Sequence, residues 1–177
     1  MGTVTPDQRL ADMHRRIKGL EATAASATAA AKDRIDQQLA TLRAHETAAR
    51  STAHRDPRVF DERFEEFAIR LRVAHSAVAA ELAATPETFT DAVEDELHEW
   101  DAYIERLQAQ AALRAESTRH QAEAAISELR QRRNAVANQL THARAARGLA
   151  WAEEKARLAA LRDELEHKAD ELSATFI

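Results

Sequence analysis

The chain has 177 residues, 30 acidic against 25 basic (Lys and Arg) for a net charge of −5, 5% aromatics, three Gly, three Pro and no cysteine. That balance disfavours general nucleic-acid binding, excludes disulfides and thiolate metal sites, and leaves too few glycines for any phosphate-cradling loop. Alanine dominates the 45% of hydrophobic residues, so a compact core would be thin, and an elongated or oligomeric all-α molecule is expected.

The first helix is predicted to start at Thr5, with Pro6 at its first position and Asp7 in its first turn. Its apolar stripe runs Leu10, Met13, Ile17, Leu20, Ala24, Ala27, Ala31, Ile35, Leu39, Leu42, in the steps of three and four that mark coiled-coil helices. No breaker interrupts it, so one helix is expected over about 6–53. Within it, 22–31 is nearly all Ala, Thr and Ser, a stretch of high helix propensity.

Asp56 and Pro57 then form a cap-and-proline pair that starts a second helix over about 57–84. Whether the chain kinks or reverses there is the main choice of architecture. The second stripe is Phe60, Phe64, Phe67, Leu71, Ala74, Val78, Leu82. Thr85, Pro86 and Glu87 repeat the start signal, and a third stripe follows: Phe89, Val93, Leu97, Trp100, Ile104, Leu107, Ala111.

These two stripes are mirror images about the Thr85-Pro86 turn, which predicts an antiparallel helical hairpin with seven matched layers. Its expected core is Phe60, Phe64, Phe67, Leu71, Val78, Leu82, Phe89, Val93, Leu97, Trp100, Ile104 and Leu107. Beyond Ala111 the pattern runs on, since a lone Gly148 is tolerated within a helix, and a third helix over about 86–175 would be about 130 Å long. The same mirror pairs Leu42 with Leu129, Ile35 with Val136 and Leu10 with Leu161, favouring one long hairpin with a kink at Asp56-Pro57. The whole chain, 1–177, then reads as a single coiled-coil domain.

A folded-back bundle of three or four helices is the alternative. The second helix carries another stripe, Ile69, Val73, Ala77, Ala80, which a reversal at Arg55-Asp56 would set against the first helix, and Gly148 would supply a further turn. In the long hairpin Leu165, Leu172 and Phe176 overhang without a partner, so they join Ile69 and Val73 as candidate interface residues for a second copy of the chain.

Charge is laid out in blocks. Residues 85–113 carry eight acids and one base, residues 114–148 three acids and seven bases, and residues 149–177 seven acids and four bases. Such blocks seek opposite charge along a helical assembly, and the Arg130, Arg132, Arg133 cluster is expected to pair with acids of a neighbouring helix.

Asp95 with His98, and Glu164 with His167, have the spacing that carboxylate-bridged di-iron bundles use. Each pair flanks a core leucine, and a long hairpin keeps the two apart, so this third reading is disfavoured and no metal, cofactor or catalytic residue is expected. No apolar run follows a basic start, and no window reaches the roughly 18 apolar residues of a membrane span. The expectation is a non-enzymatic, cytoplasmic coiled-coil scaffold that forms homo-oligomers, binds protein partners and no nucleic acid, from a bacterium by its Ala- and Arg-rich, Lys-poor composition. A membrane-surface or membrane-remodelling helical protein is the alternative, disfavoured because the polar faces carry acids as well as bases.

Overall fold

The computed structural model describes residues 5–176, and the side chains of residues 5–29 and 31–173. It is all-helical over that span: α1 Pro6–Ala24, α2 Ala29–Thr52, α3 Pro57–Leu82, α4 Pro86–Ala112, α5 Glu116–Ala145 and α6 Leu149–Phe176.

Three of the six starts are written in local side-chain chemistry. The Thr5 hydroxyl accepts from Gln8 N at 3.2 Å while Gln8 Oε1 accepts from Thr5 N at 2.8 Å, closing a capping box ahead of Pro6. Thr85 and Thr88 do the same ahead of Pro86, each backbone N–H donating to the other's hydroxyl at 3.2 Å. Before Pro57, Asp56 Oδ1 accepts from Val59 N at 3.1 Å. In each case the cap satisfies a donor that a helix N-terminus leaves orphaned, and proline fills a position whose own N–H would be unbonded.

The expected continuous helices over 6–53 and 86–175 are each divided. The first breaks at 25–28, the second at 113–115 and again at 146–148. At the last break Gly148 has φ +58°, the left-handed conformation that glycine adopts without a Cβ penalty, so it turns the chain as the folded-back alternative expects. The other two breaks contain no Gly or Pro. Propensity alone would carry the helix through them; reversal wins because it lays one apolar stripe on another.

The chain divides into two compact units, 1–82 and 83–177, each holding three helices. In the first, Leu10, Met13, Ile17 and Leu20 of α1 share one core with Ile35, Leu39 and Leu42 of α2 and Phe60, Phe67, Leu71 and Val78 of α3. Direction follows from ion pairs. Arg34, early in α2, meets Glu81, late in α3, at 2.8 Å, and His14 of α1 meets Glu46 of α2 at 3.4 Å. Both contacts make α2 antiparallel to its neighbours, so Asp56-Pro57 is a reversal and not a kink.

The second unit repeats this up-down-up plan. Arg133 reaches Asp101 of α4 at 2.6 Å, and Arg132 reaches Glu164 of α6 at 2.8 Å, while Phe89 and Trp151, near the starts of α4 and α6, stack edge-on with centroids 5.6 Å apart. The likeness extends to register. Leu10, Met13, Ile17 and Leu20 follow Thr5 at the same intervals as Thr90, Val93, Leu97 and Trp100 follow Thr85, and all eight are buried. Phe60, Phe64, Phe67, Leu71, Ala74 and Val78 on α3 have the spacing of Trp151, Lys155, Leu158, Arg162, Leu165 and Ala169 on α6.

Candidate interaction surfaces and the buried polar network

Where α3 has Leu71 in its stripe, the equivalent position on α6 is Arg162, and its charge is answered from α4. Arg162 donates from Nε to Glu96 Oε2 at 2.8 Å, and its Nη2 lies 2.7 Å from the same oxygen, with the two side chains 3% and 5% exposed. Trp100 Nε1–H donates to Glu96 Oε1 at 3.2 Å. One carboxylate thus accepts from an arginine and an indole inside the unit, the condition under which a buried charge is tolerated. Charged residues at core positions are the feature that stripe-counting passes over. The spacing shared by α3 and α6 is the signal that would have drawn attention to Arg162.

The first turn of each unit carries a cation against an aromatic ring. In the first, Arg9 Cζ lies 5.1 Å from the Phe64 centroid and 6.0 Å from that of Phe60. In the second, Lys155 Nζ lies 4.7 Å from the Phe89 centroid. Arg9 and Phe89 follow their threonine caps at the same interval, and Phe64 and Lys155 occupy equivalent stripe positions. Ring and cation have changed places between the units while the attraction of the ring face for a cation is kept.

The charge blocks find their complements inside the chain. Besides the pairs of Arg132 and Arg133, Arg144 of α5 bonds Glu94 of α4, and Lys168 of α6 lies 2.7 Å from Glu128 of α5. Those contacts hold the Glu94 and Glu128 carboxyls below the usual carboxylate range, through the hydrogen bonds from Arg144 and Lys168 respectively. In the first unit half-buried His45 is pushed down to about 3 by burial and by the charges of Arg70 and Arg63. His75 is lowered too, by desolvation and then by Arg16.

All twelve residues expected to form the hairpin core are buried or, for Phe64 and Leu82, partly buried. Of the candidate interface residues, Val73 is fully buried and Ile69 half-buried. Leu165 and Leu172 are 0% and 4% exposed; the overhang reasoned from a continuous helix does not exist, because α6 turns back at Gly148 onto α5. The Phe176 side chain lies outside the described residues. The large apolar side chains that are exposed, among those described, are Leu113 at 88% and Leu149 at 90%, on the turns at opposite ends of the second unit.

The two carboxylate–histidine motifs come to neighbouring helices of one unit, not to distant points of a hairpin. There Glu164 is engaged by Arg132, and His167 Nε2 lies 3.3 Å from Glu171. Among the described residues no three His, Asp or Glu converge as a metal site would require, and no helix is long and apolar enough to cross a membrane. Open depressions in the second unit hold about 330 and 240 Å³; the larger is walled by Thr118, Ala122, Ala125, Lys168 and Leu172, the smaller by Thr90, Asp91 and Arg144. No family model, curated protein or solved structure matches this chain.

Proposed function

We propose that the chain is a non-enzymatic helical interaction protein, a tandem of two like three-helix modules that self-associates and holds protein partners on its charged outer faces. The observation that carries this reading is the shared plan of the two units: the same capped start, the same buried register and the same ring–cation contact. Repetition of a small helical module supplies spacing and two similar surfaces on one chain, the arrangement that gives multivalent binding its gain in effective concentration. Exposed Leu113 and Leu149 are the apolar contact points that this reading assigns to partners.

Coiled-coil packing of the stripes within each unit belongs to the same proposal, supported by their spacing in steps of three and four and by the core that α1, α2 and α3 share.

The experiment is mass determination by light scattering at concentrations from micromolar to millimolar. The reading expects the average mass to rise above the 19.7 kDa of one chain as concentration increases. A constant monomer mass would overturn self-association, and unchanged association in a Leu113→Asp, Leu149→Asp double variant would remove those leucines from it.

A further inference from the structure

The turns of the chain are not equally encoded. The α2–α3 turn has Asp56 capping Val59 and a proline, the α3–α4 turn has a capping box and a proline, and the α5–α6 turn has a glycine at positive φ. The α1–α2 turn at 25–28 has none of these devices. Thr28, the N-cap of α2, makes no side-chain cap hydrogen bond, and its φ of −67° is already helical, with only ψ, at 158°, outside the helical range. Ala25 is in the right-handed helical region, and no non-glycine residue described has positive φ. The residues on either side, Ala22 to Ala31, are Ala, Thr and Ser. Sequence and backbone both permit one helix from Pro6 to Thr52, about 70 Å long.

What holds α1 back against α2 and α3 is contact that does not depend on which copy supplies it. Leu10, Met13, Ile17 and Leu20 are at most 6% exposed in the core of the first unit, and the polar contacts of α1, among them Arg9 with Asp61, Arg43 with Glu21 and His14 with Glu46, each have an exposed partner. We propose that 25–28 is an exchange hinge: by straightening into helix it lets α1 of one chain occupy the place of α1 in a second chain, giving a domain-swapped dimer. Every core contact of the closed unit is remade across the two chains, while the hinge gains the backbone hydrogen bonds that the turn interrupts. The turn at 113–115 also lacks a side-chain cap, but opening it parts the buried Glu96–Arg162 pair until a second chain restores it, a barrier that release of α1, whose buried contacts are apolar, does not meet. Exchange therefore belongs to α1. This inference rests on the self-association proposed above and names its partner, a second copy, and its mechanism.

The test uses Ala29→Pro in the full chain. Position 29 is the first residue of α2 and follows an extended residue, so proline fits the closed turn as it does in the native Thr5-Pro6 and Thr85-Pro86 pairs. In a continuous helix the same proline is interior, so the dimer fraction after refolding at high concentration is expected to fall by at least about a hundredfold, with helicity unchanged.

A second arm needs no proline. The chain has no cysteine, so Glu21→Cys and Arg43→Cys chains can be refolded together and treated with a short bis-maleimide. Crosslinked heterodimer is the result expected, since exchange places Glu21 of one chain beside Arg43 of the other. A dimer that gives no such crosslink, or that survives Ala29→Pro undiminished, would overturn the hinge and leave self-association standing. A wild-type chain that never dimerises would overturn both.

Discussion

Glu96 and Arg162 form an ion pair with 2.7 Å between Oε2 and Nη2, both side chains buried, in a unit whose other buried residues, among those described, are apolar apart from Thr90 and Glu166. The pair ties α4 to α6 at one register, because a slip along either helix would part the two buried charges from each other. Arg162→Met alone leaves Glu96 buried with only Trp100 as donor, and is expected to cost about 3–5 kcal/mol in denaturant unfolding. The Glu96→Leu, Arg162→Met double variant should recover most of that loss. Arg132→Ala breaks a pair whose side chains are 42% and 56% exposed, and should cost less than about 1 kcal/mol.

Three of the six helix starts were legible in the sequence because a cap and a proline act through neighbours in the chain. The turns at 25–28 and 113–115 were not, because nothing local stops the helix there; the reversal is set by distant leucines and isoleucines finding each other. The stripes themselves were legible as buried, but a stripe does not say which other stripe covers it. Two heptad helices match in many registers, and the mirrored pairing extended to Leu10 and Leu161 joined residues that belong to separate three-helix units. Arg162 was illegible for a different reason: a charged residue at a core position looks like the edge of the stripe until its partner is known.

The caps make a graded prediction. Thr85→Ala removes a hydroxyl that serves Thr88 N, and should cost about 1 kcal/mol. Thr28→Ala removes a side chain that makes no cap bond and should cost close to nothing in thermal unfolding of the monomer.

The glycines should respond with opposite signs. Gly148 has φ +58°, so Gly148→Ala should destabilise by about 1–2 kcal/mol even though there is open space for a methyl group. Gly19 lies within α1 and a Cβ there meets nothing within 4 Å, so Gly19→Ala should stabilise the fold by about 0.5–1 kcal/mol. Denaturation midpoints of the two variants decide both.

Acid should weaken the first unit before the carboxylates respond. His45 is pushed from its usual 6.5 down to about 3, so below pH 6.5 the unfolded chain takes up a proton that the folded chain refuses. Stability therefore falls as pH drops from 6.5 toward 3, by up to about 1.4 kcal/mol per pH unit from this group. The Glu21 carboxyl, held below its usual 4.5 by hydrogen bonds from Lys18 and Arg43, contributes its loss only below that value. A His45→Gln variant should flatten the stability profile between pH 6.5 and 4.5, measured by urea unfolding; an unchanged slope would show that His45 is not the group responsible.

The most direct measurement of the two-module account is one distance across the second unit. Because the chain has no cysteine, spin labels can be placed at His98→Cys and His167→Cys, both on exposed positions of α4 and α6. Neighbouring parallel helices predict a separation under about 30 Å, from interaxial spacings near 10 Å and the length of the labels. A continuous helix through both positions would put them about 100 Å apart, and a distance of that size would contradict the account.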